Sequence, residues 1–90
     1  MEKDYFKDRS HESKLINSIN IGETVYICEK DKQRSASKIE DLTKGQVVRR
    51  LTRHDHPRGI KVEIRGNDGK TSIGRVVYLM RNNKILYGNK

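Results

Sequence analysis

The stretch from Gly59 to Arg65 constrains the fold of this chain more than any other, because its apolar and charged residues alternate without a break. The alternation predicts a half-buried β-strand that buries Ile60, Val62 and Ile64 and exposes the charged side chains between them. The strand leads into Gly66-Asn67-Asp68-Gly69, whose residues tolerate positive φ and form the strongest hairpin signal in the sequence. The chain is therefore expected to be organised around an antiparallel hairpin.

Short strands are predicted on both sides of this turn. The first spans Thr24 to Cys28, the second runs from Leu42 or Gly45 to Arg53, and Thr71 to Leu79 forms the second arm of the hairpin. Gly74 inside that arm indicates a bend or a close backbone approach.

Two more turns are predicted outside the hairpin. In Arg53 to Gly59, Pro57 at the second turn position and Gly59 at the fourth suit a type I turn. Asn82-Asn83 predicts a last tight turn before a short strand from Lys84 to Tyr87.

These four to five short strands, with no confident helix among them, predict an all-β fold. Apolar residues make up 32% of the 90 residues, with no Trp and one Phe, so the core must be small. A small, strongly bent SH3-like barrel of antiparallel strands is the natural way to close such strands around so few apolar side chains. An OB-fold usually has longer strands and an intervening helix. Residues 21–90 are predicted to form this barrel domain.

Arg49 does not fit the alternation of the second strand. Strict alternation would place it on the same face as the apolar Val47 and Leu51. Either a β-bulge resets the phase, with Gly45 as a candidate for the irregularity, or Arg49 lies at an open end of the barrel.

Residues 1–20 are predicted to be an N-terminal extension that is partly disordered. Leu15, Ile16 and Ile19 have helical spacing, and Ser10 could cap a short helix that docks on the barrel. Residues 1–10 are expected to be mobile, because their charges alternate in sign and they offer no core face.

A long polar loop is predicted from Glu29 to Asp41, because this stretch has neither strand nor helix periodicity. Lys30, Lys32 and Arg34 could reach a ligand from it. A solvated loop without a function is an equal alternative.

The sequence argues against membrane, secreted and enzymatic classes. It has no run of about 18 apolar residues and its first residues are too polar for a secretory signal, so a cytoplasmic protein without a membrane partner is expected.

The single cysteine, Cys28, excludes an intrachain disulfide, and nothing in the sequence activates its thiol. His54 and His56 cannot hold a zinc ion alone, because such a site needs three or four ligands. His56 is instead expected to form local hydrogen bonds in an ordered turn before Pro57, and both imidazoles could add positive charge below about pH 6.5. No catalytic residue, metal or cofactor is expected.

Positive charge is concentrated in the β-rich half of the chain. Residues 1–41 contain eight Lys/Arg and nine Asp/Glu, whereas residues 42–90 contain twelve Lys/Arg and three Asp/Glu, so the net charge of +8 comes from the second half. Such a field attracts phosphate backbones and acidic surfaces. A general contribution to solubility is the alternative.

The basic side chains of this half are the candidate binding residues. Most are arginines, whose guanidinium forks to phosphate and stacks on bases. Tyr26 and Tyr78 are the only plausible stacking aromatics, and Tyr78 is equally suited to the core, which favours contacts to the backbone of structured RNA or a duplex. Arg50, Lys61 and Arg75 are expected to line one face, if the hairpin order is right. Lys70 belongs to the same basic set. The predicted nucleic-acid-binding residues are Lys44, Arg49, Arg50, Arg53, Arg58, Lys61, Arg65 and Arg75.

Several motifs, in order along the chain, resemble the YwbE-like family of small uncharacterised proteins. They are LTKG at residues 42–45, HPRGIKV at residues 56–62 and GRV at residues 74–76, and Gln33-Arg34 also fits that family. Residues 35–41 and the stretch before Asn20 look like additions to the family pattern. The resemblance implies a compact β-domain, similar in spacing to the KOW-type SH3-like barrels of ribosomal and transcription proteins, and implies no particular activity.

The leading hypothesis is therefore a non-enzymatic nucleic-acid-binding module that works through Arg/Lys contacts to phosphates. RNA is favoured over DNA as the ligand, and the protein could bind this RNA in association with the ribosome. The competing hypothesis is a protein-interaction barrel that docks an acidic partner, with residues 54–59 as one contact.

Overall fold

In the computed structural model, which describes residues 10–29 and 39–88, the regular structure is almost entirely β. The strands are β1 (Thr24–Glu29), β2 (Thr43–Arg50), β3 (Lys61–Arg65), β4 (Thr71–Arg81) and β5 (Lys84–Ile85). Short 3-10 helices span His11–Lys14, Ile16–Ser18 and Ile39–Asp41. No helix in the described residues is long and apolar enough to cross a membrane.

Pairing of the first and fourth strands closes the sheet into a barrel. Neighbouring strands are antiparallel in the order β1-β2-β3-β4-β5, and β1 also pairs with β4. The first four strands thus form a closed barrel, and β5 pairs with the end of β4. This confirms the predicted small SH3-like barrel of four to five antiparallel strands.

The barrel interior is filled by aliphatic side chains that alternate with outward-facing residues. Ile60, Val62 and Ile64 are fully buried, as the alternation in this segment predicts. The other members of this core cluster are Ile19, Val25, Ile27, Val47, Val76 and Leu79. Each barrel strand therefore contributes at least one apolar residue to the same core.

Gly74 allows β1 and β4 to approach each other closely. It pairs with Val62 on one side and with Glu29 on the other. A Cβ atom at this position would lie 2.8 Å from the carbonyl carbon of Cys28, closer than real Cβ contacts allow. Only glycine fits here, so the predicted close backbone approach is confirmed.

A β-bulge at Val48 explains the position of Arg49. The β2–β3 register shifts between Val47 and Arg49, so Val47 faces the core while Arg49 pairs with the outward-facing Glu63. The predicted bulge is present, but the candidate position at Gly45 is wrong. A Cβ atom at Gly45 would lie 2.7 Å from a backbone oxygen of β3, so this glycine serves close packing of the two strands.

The predicted turns form as their sequences indicate. The proline-containing turn is closed by a 3.0 Å hydrogen bond from the N–H of Gly59 to the carbonyl of His56. Gly69 in the β3–β4 hairpin has a φ of 81°, and Asn82 and Asn83 have φ values of 55° and 63° between β4 and β5. These residues adopt the left-handed conformation that glycine and asparagine tolerate best.

Residues 10–19, which we call the N-terminal strap, pack against the barrel beside the loop between β2 and β3. In place of the predicted helix, the strap contains two 3-10 helices separated by Leu15, whose backbone is extended. The carbonyls of Ser13 and Lys14 accept hydrogen bonds of 2.8 and 2.9 Å from the backbone of that loop. Ile19, at the end of the strap, is fully buried in the core.

Ser10 fastens the strap to β4 and does not cap a helix. Its N–H donates to the Val77 carbonyl at 3.0 Å, and its hydroxyl accepts from the Leu79 N–H at 3.0 Å and donates to the Leu86 carbonyl. The mobile segment predicted before Ser10 lies outside the described residues. So do residues 30–38 of the predicted loop, with all three of its candidate binding residues.

Candidate functional site

The outward side chains of β2, β3 and β4 form three rows across the sheet, which together we call the basic face. Residues that pair on neighbouring strands point to the same side of a sheet, so the strand register defines the rows. From the 56–59 turn to the 66–69 hairpin, the rows are Lys61 and Arg75, then Arg49, Glu63 and Ile73, then Gln46, Arg65 and Thr71. The face thus carries four cations and one acid.

The first row and the loop before it contribute four cations at one end of the sheet. We call Lys61, Arg75, Arg53 and Arg58 the turn end of the basic face. Arg75 Nη1 donates to the Gly59 carbonyl at 3.1 Å, which holds its guanidinium against the turn. The start of the loop is hydrogen-bonded to the backbone of Lys61, and both loop arginines are exposed.

His56 lies in this turn and is held in its neutral form. Its Nδ1 accepts a 3.1 Å hydrogen bond from the N–H of Arg58, which requires an unprotonated nitrogen. Partial burial lowers the pKa of His56 below 6.5, and the charges of Arg75 and Arg58 lower it further. The imidazole of His56 therefore gains positive charge only at a lower pH than its ordinary pKa would give.

The middle row is electrically neutral. Arg49 Nε donates to Glu63 Oε1 at 2.6 Å across the β2–β3 pair, and the Arg49 side chain remains 65% exposed. Such a surface ion pair contributes little to stability, but it cancels one of the four charges of the face. Ile73, the third member of the row, is 44% exposed.

The third row continues into the β3–β4 hairpin. We call Arg65 and Lys70, both exposed, the hairpin end of the basic face. Lys44 is also exposed on the neighbouring strand β2, but its ammonium lies 5.9 Å from the ring centroid of Tyr26 on β1. This cation–π contact draws the Lys44 side chain toward β1.

Arg50 does not belong to the basic face. Its Nη1 donates to the carbonyls of Ile16 and Ile19 at 3.3 and 3.4 Å, so its guanidinium holds the strap. Consecutive strand residues point to opposite sides, and the bulge at Val48 turns Arg49 outward, so Arg50 points the other way. Among the three residues expected to line one face, only Lys61 and Arg75 are neighbours on it.

Tyr26, Tyr78 and Tyr87 lie outside the three rows. Tyr78 is buried, and its ring makes edge contacts with Tyr26 and Tyr87 at centroid distances of 6.4 and 5.4 Å. It belongs with Cys28 and Val77 to a second apolar cluster. Tyr78 is thus a packing residue, and the rows of the basic face contain no aromatic side chain.

The Cys28 thiol and the Asp55 carboxylate both have structural contacts. Cys28 is buried in the second apolar cluster. The carboxylate of Asp55 accepts a 2.8 Å hydrogen bond from the N–H of Ile16 and so holds the strap. Within residues 10–29 and 39–88, no three His, Cys, Asp or Glu side chains are grouped as a metal site would require.

Four residues of the basic face were not among the predicted site residues: Glu63, Ile73, Gln46 and Thr71. The sequence does contain the signal for Glu63, because it alternates with buried Val62 and Ile64. The signal for Ile73 is weaker. Ile73 lies two residues from the outward-facing Arg75, but its place beside the Arg49–Glu63 ion pair depends on the register of β2, β3 and β4.

The fold and the basic face define a small β-barrel protein with a cationic outer surface. The chain belongs to a family of uncharacterised conserved proteins, DUF2196, whose model matches residues 12–79. This match includes most of the strap and nearly all of the four-stranded barrel. A search of curated proteins and a search of solved structures find no match.

Proposed function

We propose that this protein is a non-enzymatic nucleic-acid-binding module that contacts phosphates through the arginines and lysines of its basic face. The observation that carries the proposal is the composition of that face, with four cations and one acid on three adjacent strands. Binding of phosphates by such a face releases condensed counterions, which provides affinity without a deep pocket. Closed-barrel strands hold the cations in a fixed arrangement, which lowers the entropy cost of binding.

RNA is the proposed ligand in preference to DNA. The support is the spacing of the motifs, which is similar to that of the KOW-type SH3-like barrels of ribosomal and transcription proteins. A cytoplasmic, ribosome-associated role fits this proposal. Arginine suits such a ligand because its planar guanidinium binds phosphate through two parallel hydrogen bonds.

Titration of RNA at several salt concentrations tests the proposal. If Lys61, Arg65, Arg75 and the two loop arginines each engage one phosphate, log affinity should fall with log salt at a slope of about −3.5 for single strands and about −4.5 for a duplex. Lys61→Glu combined with Arg65→Glu should abolish most of the binding. The matched control, Arg81→Glu with Lys84→Glu, makes the same charge change outside the rows of the basic face, where β4 pairs with β5. Equal effects of the two double variants would overturn the proposal.

The second candidate is a protein-interaction barrel that docks an acidic partner. It is favoured by Ile73, whose 44% exposure puts an apolar side chain in the middle of the charged rows. Protein interfaces commonly combine an apolar centre with a polar rim. If RNA does not bind, affinity capture should recover an acidic protein whose retention is reduced by Ile73→Thr and by Lys61→Glu. Recovery unaffected by either variant would exclude the basic face as the contact.

A further inference from the structure

We infer that the ligand of the basic face is double-stranded RNA, with the turn end and the hairpin end contacting the phosphates of opposite strands across one minor groove. This inference rests on the proposed function and specifies the ligand of the same surface. The choice of a duplex follows from the separation of the cations into two groups on the surface, which composition alone does not reveal.

Apart from Arg49, the cations of the three rows and of the adjoining loops form two groups separated by a neutral row. The turn end contains Lys61 and Arg75 with the two loop arginines, and the hairpin end contains Arg65 and Lys70. Lys61 and Arg65 are four residues apart on β3 and, at about 3.3 Å per residue, their Cα atoms are separated by about 13 Å. Between them lies the row in which Glu63 neutralises Arg49.

A single nucleic-acid strand is a poor match for this arrangement. Proteins that bind single strands combine a continuous cationic track with aromatic rings on which the bases stack. Here the track is interrupted by the neutral row, and no side chain of the three rows is aromatic. Tyr78, whose ring contacts two other tyrosines, is buried in the second apolar cluster.

Two phosphate backbones on either side of a groove match this arrangement of cations better than a single strand does. Each cationic group would face one backbone, and the neutral row with Ile73 would lie over the groove between them. The minor groove of an RNA duplex is wide and shallow, whereas the major groove of B-DNA is about 8.5 Å deep and admits an inserted helix or ribbon. The middle row consists of strand residues of the barrel wall, so it suits the shallow groove.

Fluorescence anisotropy can compare three probes of one sequence: an RNA duplex of about 16 base pairs, its unpaired labelled strand, and the corresponding DNA duplex. The wild-type protein should bind the RNA duplex at least about tenfold more tightly than the single strand or the DNA duplex, and with the steeper salt dependence. Two double variants test the ends separately: Arg53→Gln with Lys61→Gln, and Arg65→Gln with Lys70→Gln. The matched control is Arg81→Gln with Lys84→Gln, two exposed cations where β4 pairs with β5.

Each end variant should weaken duplex RNA binding at least about tenfold and reduce the salt slope by about 1.8, because two phosphate contacts are lost. The control should retain the wild-type slope. Single-stranded RNA or duplex DNA bound as tightly as duplex RNA would overturn the inference while leaving nucleic-acid binding intact. If only one of the two end variants weakened duplex RNA binding, the two-backbone arrangement would be overturned, while nucleic-acid binding would again remain intact. Absence of binding to all three probes at low salt would instead overturn the proposed function.

Discussion

Replacement of Gly74 by alanine tests the closure of the barrel most directly. Gly74 pairs with both neighbouring strands, and an added methyl group would lie 2.8 Å from the carbonyl carbon of Cys28 and 3.1 Å from the Cα of Glu29. Both are backbone atoms of β1. No side-chain rotation can relieve the clash, so β1 and β4 would have to separate.

The expected cost is about 3 kcal/mol of unfolding free energy, in the upper part of the range for adding a methyl group to a close-packed site. A domain of about 60–100 residues loses about 4–8 °C of Tm per kcal/mol, so the Tm of Gly74→Ala should fall by about 12–24 °C. This is a large part of the total stability of a small domain, which is typically about 5–15 kcal/mol.

Urea denaturation followed by circular dichroism measures this loss. Thr71→Ala is the matched control, because Thr71 is exposed on the same strand and its replacement should cost no more than about 1 kcal/mol. A loss at Gly74 no larger than that of the control would refute the close approach of β1 and β4. The Arg75 position depends on the same closure, so Gly74→Ala should also weaken RNA binding.

Three further predictions concern the strap, the turn and the core. Arg50→Gln removes the hydrogen bonds to two strap carbonyls and should cost about 1 kcal/mol of unfolding free energy. The salt slope of RNA binding should not change, and a reduced slope would place Arg50 at the interface. The pKa of His56 is lowered in the folded protein by partial burial and by Arg75 and Arg58, so the unfolded chain takes up the proton first as pH falls below 6.5. Between about pH 7.5 and about pH 5.5, the wild-type protein should therefore lose more stability than His56→Asn in urea titrations, and equal losses would contradict the lowered pKa. Ile64→Val should cost about 0.5–1.5 kcal/mol through a small core cavity, with RNA affinity unchanged; a loss near zero would mean that Ile64 is not close-packed.

The strands and turns could be predicted because their signals are local. Ile60, Val62 and Ile64 alternate with charged residues, and this period of two is a property of the backbone itself. Asn82 and Asn83 form a turn because few other residues accept positive φ at low cost.

The strap could not be predicted in the form that the structure shows. Its 3-10 helices are four and three residues long, and the strap is held by hydrogen bonds to distant residues. The Ser10 hydroxyl, for example, bonds to the backbone at Leu79 and Leu86. Such contacts depend on a barrel that must exist first.

Part of the candidate site was also predictable. Alternation with the core residues of β3 already directs Lys61 and Arg65 to the outer face. That Arg50 points away from the basic face was not predictable, because one extra residue at Val48 reverses the direction of every later side chain on β2. The neutralisation of Arg49 by Glu63 required knowledge of the register between two strands.

The sequence by itself determined that this protein is a β-barrel with excess positive charge in its strand-rich half, because alternation, turn residues and charge counts are properties of the chain. Tertiary structure alone decided which cations share a surface. The bulge at Val48, the close approach at Gly74 and the strand register divide the charges into two ends around a neutral row. That division depends on distances between strands, which no local pattern encodes.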